Sequence, residues 1–588
     1  MGKLIKELGK KELLLFFISL GVVALQVWAE LSLIDRMQEV TLLVTRSGGT
    51  TSAILIAGAK MLALAAGGVL CSVAVAVGYA ASLIGANLAY KLRDKLFRQV
   101  QRFSMEEINR FSTASLITRS TNDISQVQML VAMGMQVAMR APIMAIWALT
   151  KIATKSWQWS MTVVAAVLFL CVVLAAVFFI AVPRFKKIQT LTDDINERMR
   201  ENLTGLRVVR AYNAEKFQEK KFEAANVALA KNNLVAHRVM ASIHPVMSVL
   251  MSGLTLAIYW IGIYLINAAA APDKVVLYSE MVTFSAYAMQ IVLSFMMMSF
   301  IFIMFPRAMV AARRIKEVLT TEPKLKEGTR TQGLPGVQGE VSFENVSFTY
   351  PDAESPVLEH VSFDVKQGET VAFIGSTGSG KTTVINLIPR FYDVSAGAIF
   401  IDGVNVKEYE SRALVNKIGY VSQKAVLFSG TVKQNVTYGS EEKRHSREDV
   451  IEALETASAY DFVMDKDGQE NAHIARGGAN FSGGQKQRLS IARALYKKPE
   501  ILIFDDSFSA LDYKTDKELR AALKRKMKGT TVLIVAQRIG TIMDADKIIV
   551  MNEGKIAAMG THKELLKTSS IYQEIAASQL SEEELKYE

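Results

Sequence analysis

The sequence predicts an all-α transmembrane domain of six helices fused to an α/β domain built around a phosphate-binding loop, and three observations carry that prediction. Half of the 588 residues are apolar and the mean hydropathy is positive, although the chain also holds 68 basic and 57 acidic side chains. The apolar excess lies before residue 310, in runs long enough to cross a bilayer, which takes about 20 mostly apolar residues. Beyond it, short apolar strands alternate with helical patterns, and one strand runs directly into Gly375-Ser-Thr-Gly-Ser-Gly-Lys-Thr382.

The apolar runs fall near 12–35, 53–88, 139–158, 161–183, 240–268 and 278–306. The second is long enough for two crossings, so its count rests on charge. Lys3, Lys6, Lys10 and Lys11 precede the first run, and Lys91, Arg93, Lys95, Arg98 and Arg102 follow the second. Cations collect on the cytoplasmic side, so an even number of crossings separates these clusters and each run is one helix. The same rule puts 184–239 inside, with Arg184, Lys186, Lys187, Arg198, Arg200, Arg207 and Arg210. The outer connections near 37–52, 155–160 and 269–277 are short and poor in cations. The long inner segments 89–138 and 184–239 read as polar, helical extensions of the spans.

This organisation gives a membrane domain over 1–320, a charged linker with Gly and Pro over 321–340, a cytoplasmic α/β domain over 341–575 and a C-terminal tail over 576–588. The formal net charge of +11 follows the membrane topology and gives no reason to expect nucleic acid. Cys71 and Cys171 both lie in apolar runs, which disfavours a structural disulfide. The basic N-terminus has no small-residue cleavage site after its first apolar run, so a signal peptide is not expected.

Charges inside apolar runs are costly and tend to face a cavity or a partner. Glu30 is placed near the outer end of the first helix, Lys151 in the outer half of the third, and Arg140 near the inner end of the third. In one reading Glu30 and Lys151 face a cavity among the helices. In the other they reach the outer headgroups while Arg140 snorkels to the inner ones. The sixth helix carries Gln290 and a Met- and Phe-rich stretch that includes Met296. Thioethers and aromatic rings make adaptable apolar surfaces, so Gln290 and Met296 join Glu30 and Lys151 as substrate candidates. Lipid-facing or interhelical packing is the plainer role for most of that stretch.

In the second half, Val371-Ala-Phe-Ile374 is a buried strand entering the phosphate loop in its required context of strand, loop and helix. The glycines let backbone N–H groups turn toward phosphates, Lys381 reaches the β- and γ-phosphates and Thr382 ligates Mg²⁺. Ile501-Leu-Ile-Phe-Asp505 is an apolar strand ending in a carboxylate that can hold Mg²⁺ through water. Between the two lies Phe481-Ser-Gly-Gly-Gln-Lys-Gln-Arg488.

A phosphate loop, this segment and a second carboxylate strand, in that order, resemble the ABC transporter superfamily, and the six spans resemble its type IV exporter half-transporters. Arg119-Ser-Thr-Asn-Asp-Ile-Ser125 and Glu201-Asn-Leu-Thr-Gly-Leu-Arg-Val-Val-Arg-Ala-Tyr212 resemble the family's inner loops, each of which carries a short coupling helix. The resemblance implies ATP and Mg²⁺ as ligands. It assigns ATP binding to Tyr350, which would stack on adenine, and to Gly375, Ser376, Thr377, Gly378, Ser379, Gly380, Lys381, Thr382 and Thr383. It assigns Mg²⁺ to Thr382, Asp505 and the Q-loop Gln423. Phe481, Ser482, Gly483, Gly484 and Gln485 match the signature, which serves ATP held by the opposite domain; Phe481 replaces the commoner Leu. Ser509, Ala510, Leu511 and Asp512 match the D-loop.

Two departures stand at the chemical positions. Hydrolysing sites of the family have Glu after the strand-end aspartate, where this chain has Asp506, and a switch His where it has Gln537. A carboxylate one methylene shorter misplaces water, and a shift of about 1 Å can cost about a hundredfold in rate. Gln537 cannot carry a proton charge. Arg476 also stands where many exporters have an acidic residue. The pattern resembles the degenerate half of heterodimeric bacterial multidrug exporters. It implies a second half-transporter with an intact site, a lipid bilayer as surroundings, a bacterial plasma-membrane location with N-terminus and ATPase domain cytoplasmic, and lipophilic or amphiphilic small molecules as cargo. The alternatives are transport of one physiological cargo (a lipid, peptide, haem or siderophore), in either direction, or an ATP-binding membrane sensor that moves nothing.

Overall fold

The computed structural model describes residues 9–45, 50–73, 79–440 and 446–580. The chain forms two compact units, Met1–Gln101 with Thr113–Thr321, and Arg102–Ser112 with Glu322–Glu588.

The first unit is helical throughout. Its helices are α1 (Lys10–Thr45), α2 (Thr51–Val73) and α3 (Ala81–Gln101). After α4 (Met105–Phe111), which belongs to the second unit, come α5 (Thr113–Thr118), α6 (Ile124–Ala153), α7 (Trp157–Thr204), α8 (Leu206–Ala211), α9 (Glu215–Ala268) and α10 (Ala271–Thr320). Among the described residues six helices are long and apolar enough to span a membrane, in α1, α2, α5–α6, α7, α9 and α10. The second apolar run contains α2 and the start of α3, with residues 74–78 outside the described set.

Most helices extend beyond their apolar runs, and two boundaries have a local cause. The first helix runs to Thr45 rather than 35, because the polar segment after Asp35 contains no helix breaker before Gly48. The third ends at Ala153 rather than 158: Thr154, Lys155 and Ser156 make the turn, and Trp157 opens the next helix. Apolarity alone cannot separate two spans joined by so short a turn. The second inner segment is mainly a continuation of α7 and α9, which extend over 48 and 54 residues and are separated around Gly205 by the short α8, while α3 to α6 carry the first. The core of this unit gathers around Trp159, whose ring lies 5.4 Å from that of Phe284 and whose indole N–H donates to Ile258 O at 3.2 Å.

The second unit is α/β. Strands β1 (Val341–Phe348), β2 (Leu358–Val365), β4 (Ala396–Ile401) and β5 (Val404–Asn405) form an antiparallel sheet in the order β2-β1-β4-β5. A second sheet is ordered β12-β11-β3-β10-β9-β6. It comprises β3 (Thr370–Gly375), β6 (Ile418–Val421), β9 (Ile501–Asp505), β10 (Thr531–Val535), β11 (Lys547–Asn552) and β12 (Lys555–Gly560). Its five-strand body is parallel, and β12 alone pairs antiparallel. Every residue of Ile501–Asp505 is buried, as expected of a strand covered on both faces. A small ladder joins β7 (Gly430–Thr431) to β8 (His473–Ile474). The helices are α11 (Lys381–Leu387), α12 (Ser411–Lys417), α13 (Val432–Val436), α14 (Arg447–Thr456), α15 (Tyr460–Met464), α16 (Gly483–Tyr496), α17 (Tyr513–Lys526), α18 (His562–Thr568) and α19 (Ser570–Ala577). Chain crossings in this sheet bring the C-terminal ends of β3, β9 and β10 side by side, the place where open α/β sheets bind ligands.

Candidate nucleotide site and intramembrane charges

The phosphate loop leaves β3 and enters α11. Gly375 (φ +152°) lies so close to β11 that a Cβ would sit 2.1 Å from Met551 O, and at Gly380 (φ +96°) a Cβ would sit 2.6 Å from Leu358 Cδ2. Only glycine fits either position. Lys381 begins α11 with its ammonium folded back over the loop. Its Nζ donates to Gly375 O (2.9 Å), Ser376 O (2.7 Å) and Ser379 Oγ (3.3 Å), three neutral oxygens. Burial pushes this ammonium below its ordinary pKa, and the nearby Asp506 carboxylate opposes the shift. A buried cation on neutral oxygens beside a glycine loop fits an anionic phosphate.

Thr382 Oγ1 donates to Asp505 Oδ1 at 3.0 Å, which places the hydroxyl and the strand-end carboxylate together. Tyr420, which sequence reasoning missed, donates to Asn386 Oδ1 (2.9 Å) and approaches Asp505 Oδ2 (3.4 Å). Its only sequence signal is a hydroxyl at the polar end of an apolar strand. Burial raises the pKa of Asp505, against the hydrogen bond from Thr382. Among the described residues no group of three or more His, Cys, Asp or Glu side chains is placed to hold a metal ion by itself. One carboxylate and one hydroxyl suit Mg²⁺, which is commonly bound through few protein oxygens plus substrate phosphates.

The two altered positions meet each other. Asp506 Oδ2 accepts from Gln537 Nε2 at 2.8 Å and from Gln423 Nε2 at 3.3 Å. Asp506 sits in the left-handed region (φ +47°), its N–H donating to Val535 O at 3.0 Å and its carbonyl accepting from Ser509 Oγ at 2.8 Å. Burial raises its pKa, and the bond from Gln423 acts in the other direction. Tyr350 is half-buried, its hydroxyl 3.1 Å from Thr383 Oγ1 and its ring edge-on to Tyr392 at 5.3 Å.

The signature residues occupy a different place. Ser482 caps α16: its Oγ accepts from Gln485 N–H (3.3 Å) and its own N–H donates to Gln485 Oε1 (3.0 Å). Ser482 and Gly483 are exposed, while Phe481 is buried. Gly484 lies against the D-loop, where a Cβ would be 3.4 Å from Ala510 O. Ser509, Ala510 and Asp512 are exposed, Leu511 is buried, and Asp512 caps α17 through Thr515 N–H at 3.0 Å.

Residues 358–509 match the ABC transporter family and residues 37–295 match the ABC transporter transmembrane region. The chain is 38% identical over 533 residues to an uncharacterized ABC transporter ATP-binding protein of Mycobacterium tuberculosis (strain ATCC 25618 / H37Rv), covering 90% of each protein. The chain belongs to the ABC transporter family. It is also 35% identical to the ABC transporter ATP-binding protein YfiB of Bacillus subtilis (strain 168), covering 86% of each. An ATP-dependent lipid A-core flippase of Vibrio vulnificus (strain CMCP6) is 31% identical over 86% of this chain and 85% of that protein. A bacterial Atm1-family ABC exporter solved with ATP bound shares the fold, with a TM-score of 0.80 over 97% of this chain and all of that one at 22% identity. This ABC transporter is thus a multi-pass membrane protein with the fold of an exporter, an ATP-binding domain that faces the cytoplasm and ATPase activity.

Glu30, Arg140 and Lys151, the intramembrane charges singled out in the sequence, each have an oppositely charged partner. Arg140 NH2 donates to both oxygens of Glu30 (2.9 and 3.0 Å), and Gln26 Nε2 donates to Glu30 Oε1 at 3.0 Å. Arg140 and Glu30 therefore share one level, although the sequence reading set them toward opposite ends of their helices. Part of the difference is that α1 continues to Thr45, which leaves Glu30 well inside its helix. Lys151 Nζ donates to Asp35 Oδ2 at 2.7 Å, and Tyr287 OH to Asp35 Oδ1 at 2.5 Å. Lys155 pairs with Glu280 at 2.7 Å. Gln290 and Met296 are half-buried, and Met296 packs against the Trp159 cluster together with Phe295.

Proposed function

We propose that this chain is the degenerate-site half of a heterodimeric ABC exporter that moves lipophilic or amphiphilic small molecules of multidrug type. One observation carries the reading. The Asp506 oxygen that would have to polarise water is engaged by the amides of Gln537 and Gln423. Asp506 is a methylene shorter than Glu, its carboxylate is held by neutral donors, and the switch position has no ionisable ring to meet developing phosphate charge. ATP bound on Lys381 and Thr382, with Mg²⁺ on Thr382, Asp505 and Gln423, is then held for long periods. The intact signature presents exposed Ser482 and Gly483 at the start of α16 and is suited to a partner's nucleotide. The second inner loop ends in exposed apolar residues Leu206, Val208 and Tyr212, which also suit a partner half-transporter.

Asp506→Glu combined with Gln537→His tests this reading. In the assembly purified through a tag on this chain, with the partner's competent site disabled, the double variant should gain single-turnover ATP cleavage. Partial recovery is expected, because water positioning depends on more than two groups. Cleavage at this site in the unaltered chain would refute the assignment. A second reading, transport of one lipid cargo, is favoured by the likeness to lipid A-core flippases. Transport of labelled lipids and of cationic dyes in the same vesicles separates the two.

A further inference from the structure

The switch position is held from behind by the C-terminal end of the described chain. Gln537 and Ile539 flank Arg538 on the loop that leaves β10, and fully buried Ile539 opens a short 3-10 turn with no side-chain cap. The first N–H groups of a helical turn need partners from elsewhere. Ile539 N–H donates to Gln579 Oε1 at 2.9 Å, and Gln579 Nε2 donates to Gln537 O at 2.8 Å. One side-chain amide thus uses its acceptor and a donor on the two backbone groups that bracket Arg538.

Gln579 reaches the loop from an anchored helix. It follows α19, in which Tyr572 and Ala576 are fully buried and the Tyr572 hydroxyl lies 2.6 Å from His562 Nδ1. Ile575 and Leu580, on either side of it, pack against the same core. From Gln579 a chain of hydrogen bonds continues through Gln537 to Asp506 and on to Gln423.

We propose that Gln579 is a positioning residue of the nucleotide site, acting through Gln537 to set where the switch amide meets Asp506. This rests on the reading of Gln537 as the switch position. Gln579 is exposed, so water can replace its bonds, and its removal should change loop placement more than fold stability.

The test is a double-mutant cycle on the full-length assembly in lipid nanodiscs. The readout is the half-time with which this chain retains photoreactive 8-azido-ATP. Gln579→Ala and Gln537→Ala should each shorten retention by about 3- to 10-fold, the scale of one or two ordinary hydrogen bonds. The combined variant should lose no more than Gln537→Ala alone, the sign of two residues acting in series. Gln579→Glu keeps the acceptor for Ile539 but loses the donor for Gln537 O, so it should behave like Gln579→Ala. Additive losses, wild-type retention in Gln579→Glu, or retention that merely follows a lowered melting temperature would each overturn the proposal. If Gln537→Ala itself leaves retention unchanged, the reading of the switch position fails first and the role of Gln579 falls with it.

Discussion

Phe481 occupies the signature position where the family more often has Leu, and its surroundings explain how a larger ring is held. It is buried, the Lys466 ammonium lies 4.5 Å from its centroid, and Phe462 approaches edge-on at 6.4 Å. Arg488, two turns into α16, covers the other ring at 4.7 Å from the Phe462 centroid. Phe481→Ala should therefore destabilise the domain by about 3–5 kcal/mol through loss of buried area and the cavity left behind. Phe481→Leu should cost about 1 kcal/mol. Thermal unfolding of the full-length protein should rank wild type above Phe481→Leu and both above Phe481→Ala; equal melting points would mean the ring is not structural. At this scale much was legible. The phosphate loop, Asp505 and the signature announce themselves because their chemistry needs fixed residue types at fixed spacing. Tyr420 and Gln579 were not legible, since a lone hydroxyl in a strand or a lone amide in a tail has meaning only through contacts across 85 and 40 residues.

Among the elements, α4 shows how a short helix is made to persist. Seven residues are too few for a stable isolated helix. Ser104 and Glu107 form a capping box: Ser104 N–H and Oγ donate to Glu107 Oε2 at 2.8 and 2.6 Å. Lys324 N–H donates to Glu107 Oε1 at 3.2 Å, its ammonium pairs with Glu106, and Asn109 Nδ2 donates to the Tyr392 hydroxyl at 3.2 Å. Burial alone would raise the Glu107 pKa, but the Ser104 and Lys324 hydrogen bonds prevail and hold it below the ordinary 4.5. A depressed carboxylate stabilises the fold fully above its unfolded pKa and loses that contribution as pH falls through the lower, folded value. Hydrogen exchange across 104–111, corrected for intrinsic rates, should accelerate in the wild type as pH falls below the ordinary carboxylate value of 4.5 and through the lower folded one. Glu107→Gln, which can still cap, should remove that pH dependence, and Glu107→Ala should cost about 1 kcal/mol at neutral pH.

The spanning helices make a contrasting case. Their number was readable from apolar runs and cation asymmetry, because the bilayer imposes length and sidedness. Their pairing was not, because nothing local in α1 or α6 says which charges share a depth. Glu30 and Arg140 are 110 residues apart and bond at 2.9 Å. Removing one partner strands a charge in an apolar setting, which is more harmful than removing both. Glu30→Gln and Arg140→Gln should each reduce folded yield and transport, while the charge-swapped Glu30→Arg/Arg140→Glu pair should restore most of both. A swap no better than the single variants would mean the two side chains act separately.

For the whole molecule, the proposed heterodimer assigns the two ends of the ATPase domain to different nucleotide sites, and this gives the broadest test. Lys381 and Thr382 sit with Asp506 and Gln537, the groups proposed to leave this site slow. Ser482 opens α16, exposed, with its hydroxyl engaged only lightly at 3.3 Å by its own helix. In the proposed heterodimer that hydroxyl and the neighbouring N–H groups face the γ-phosphate on the partner's loop, where charge develops during cleavage. Loss of one such donor can cost about 100-fold or more. Ser482→Arg adds bulk and a cation there, so it should stop steady-state hydrolysis, whereas Lys381→Ala weakens a site meant to hold ATP and should leave a measurable fraction. In a homodimer both substitutions would strike two equivalent sites and the asymmetry would vanish. The measurement is steady-state ATPase activity of each variant in the purified assembly. If Lys381→Ala proves inactive while Ser482→Arg still turns over, this chain is the catalytic half and the roles of the two sites are reversed.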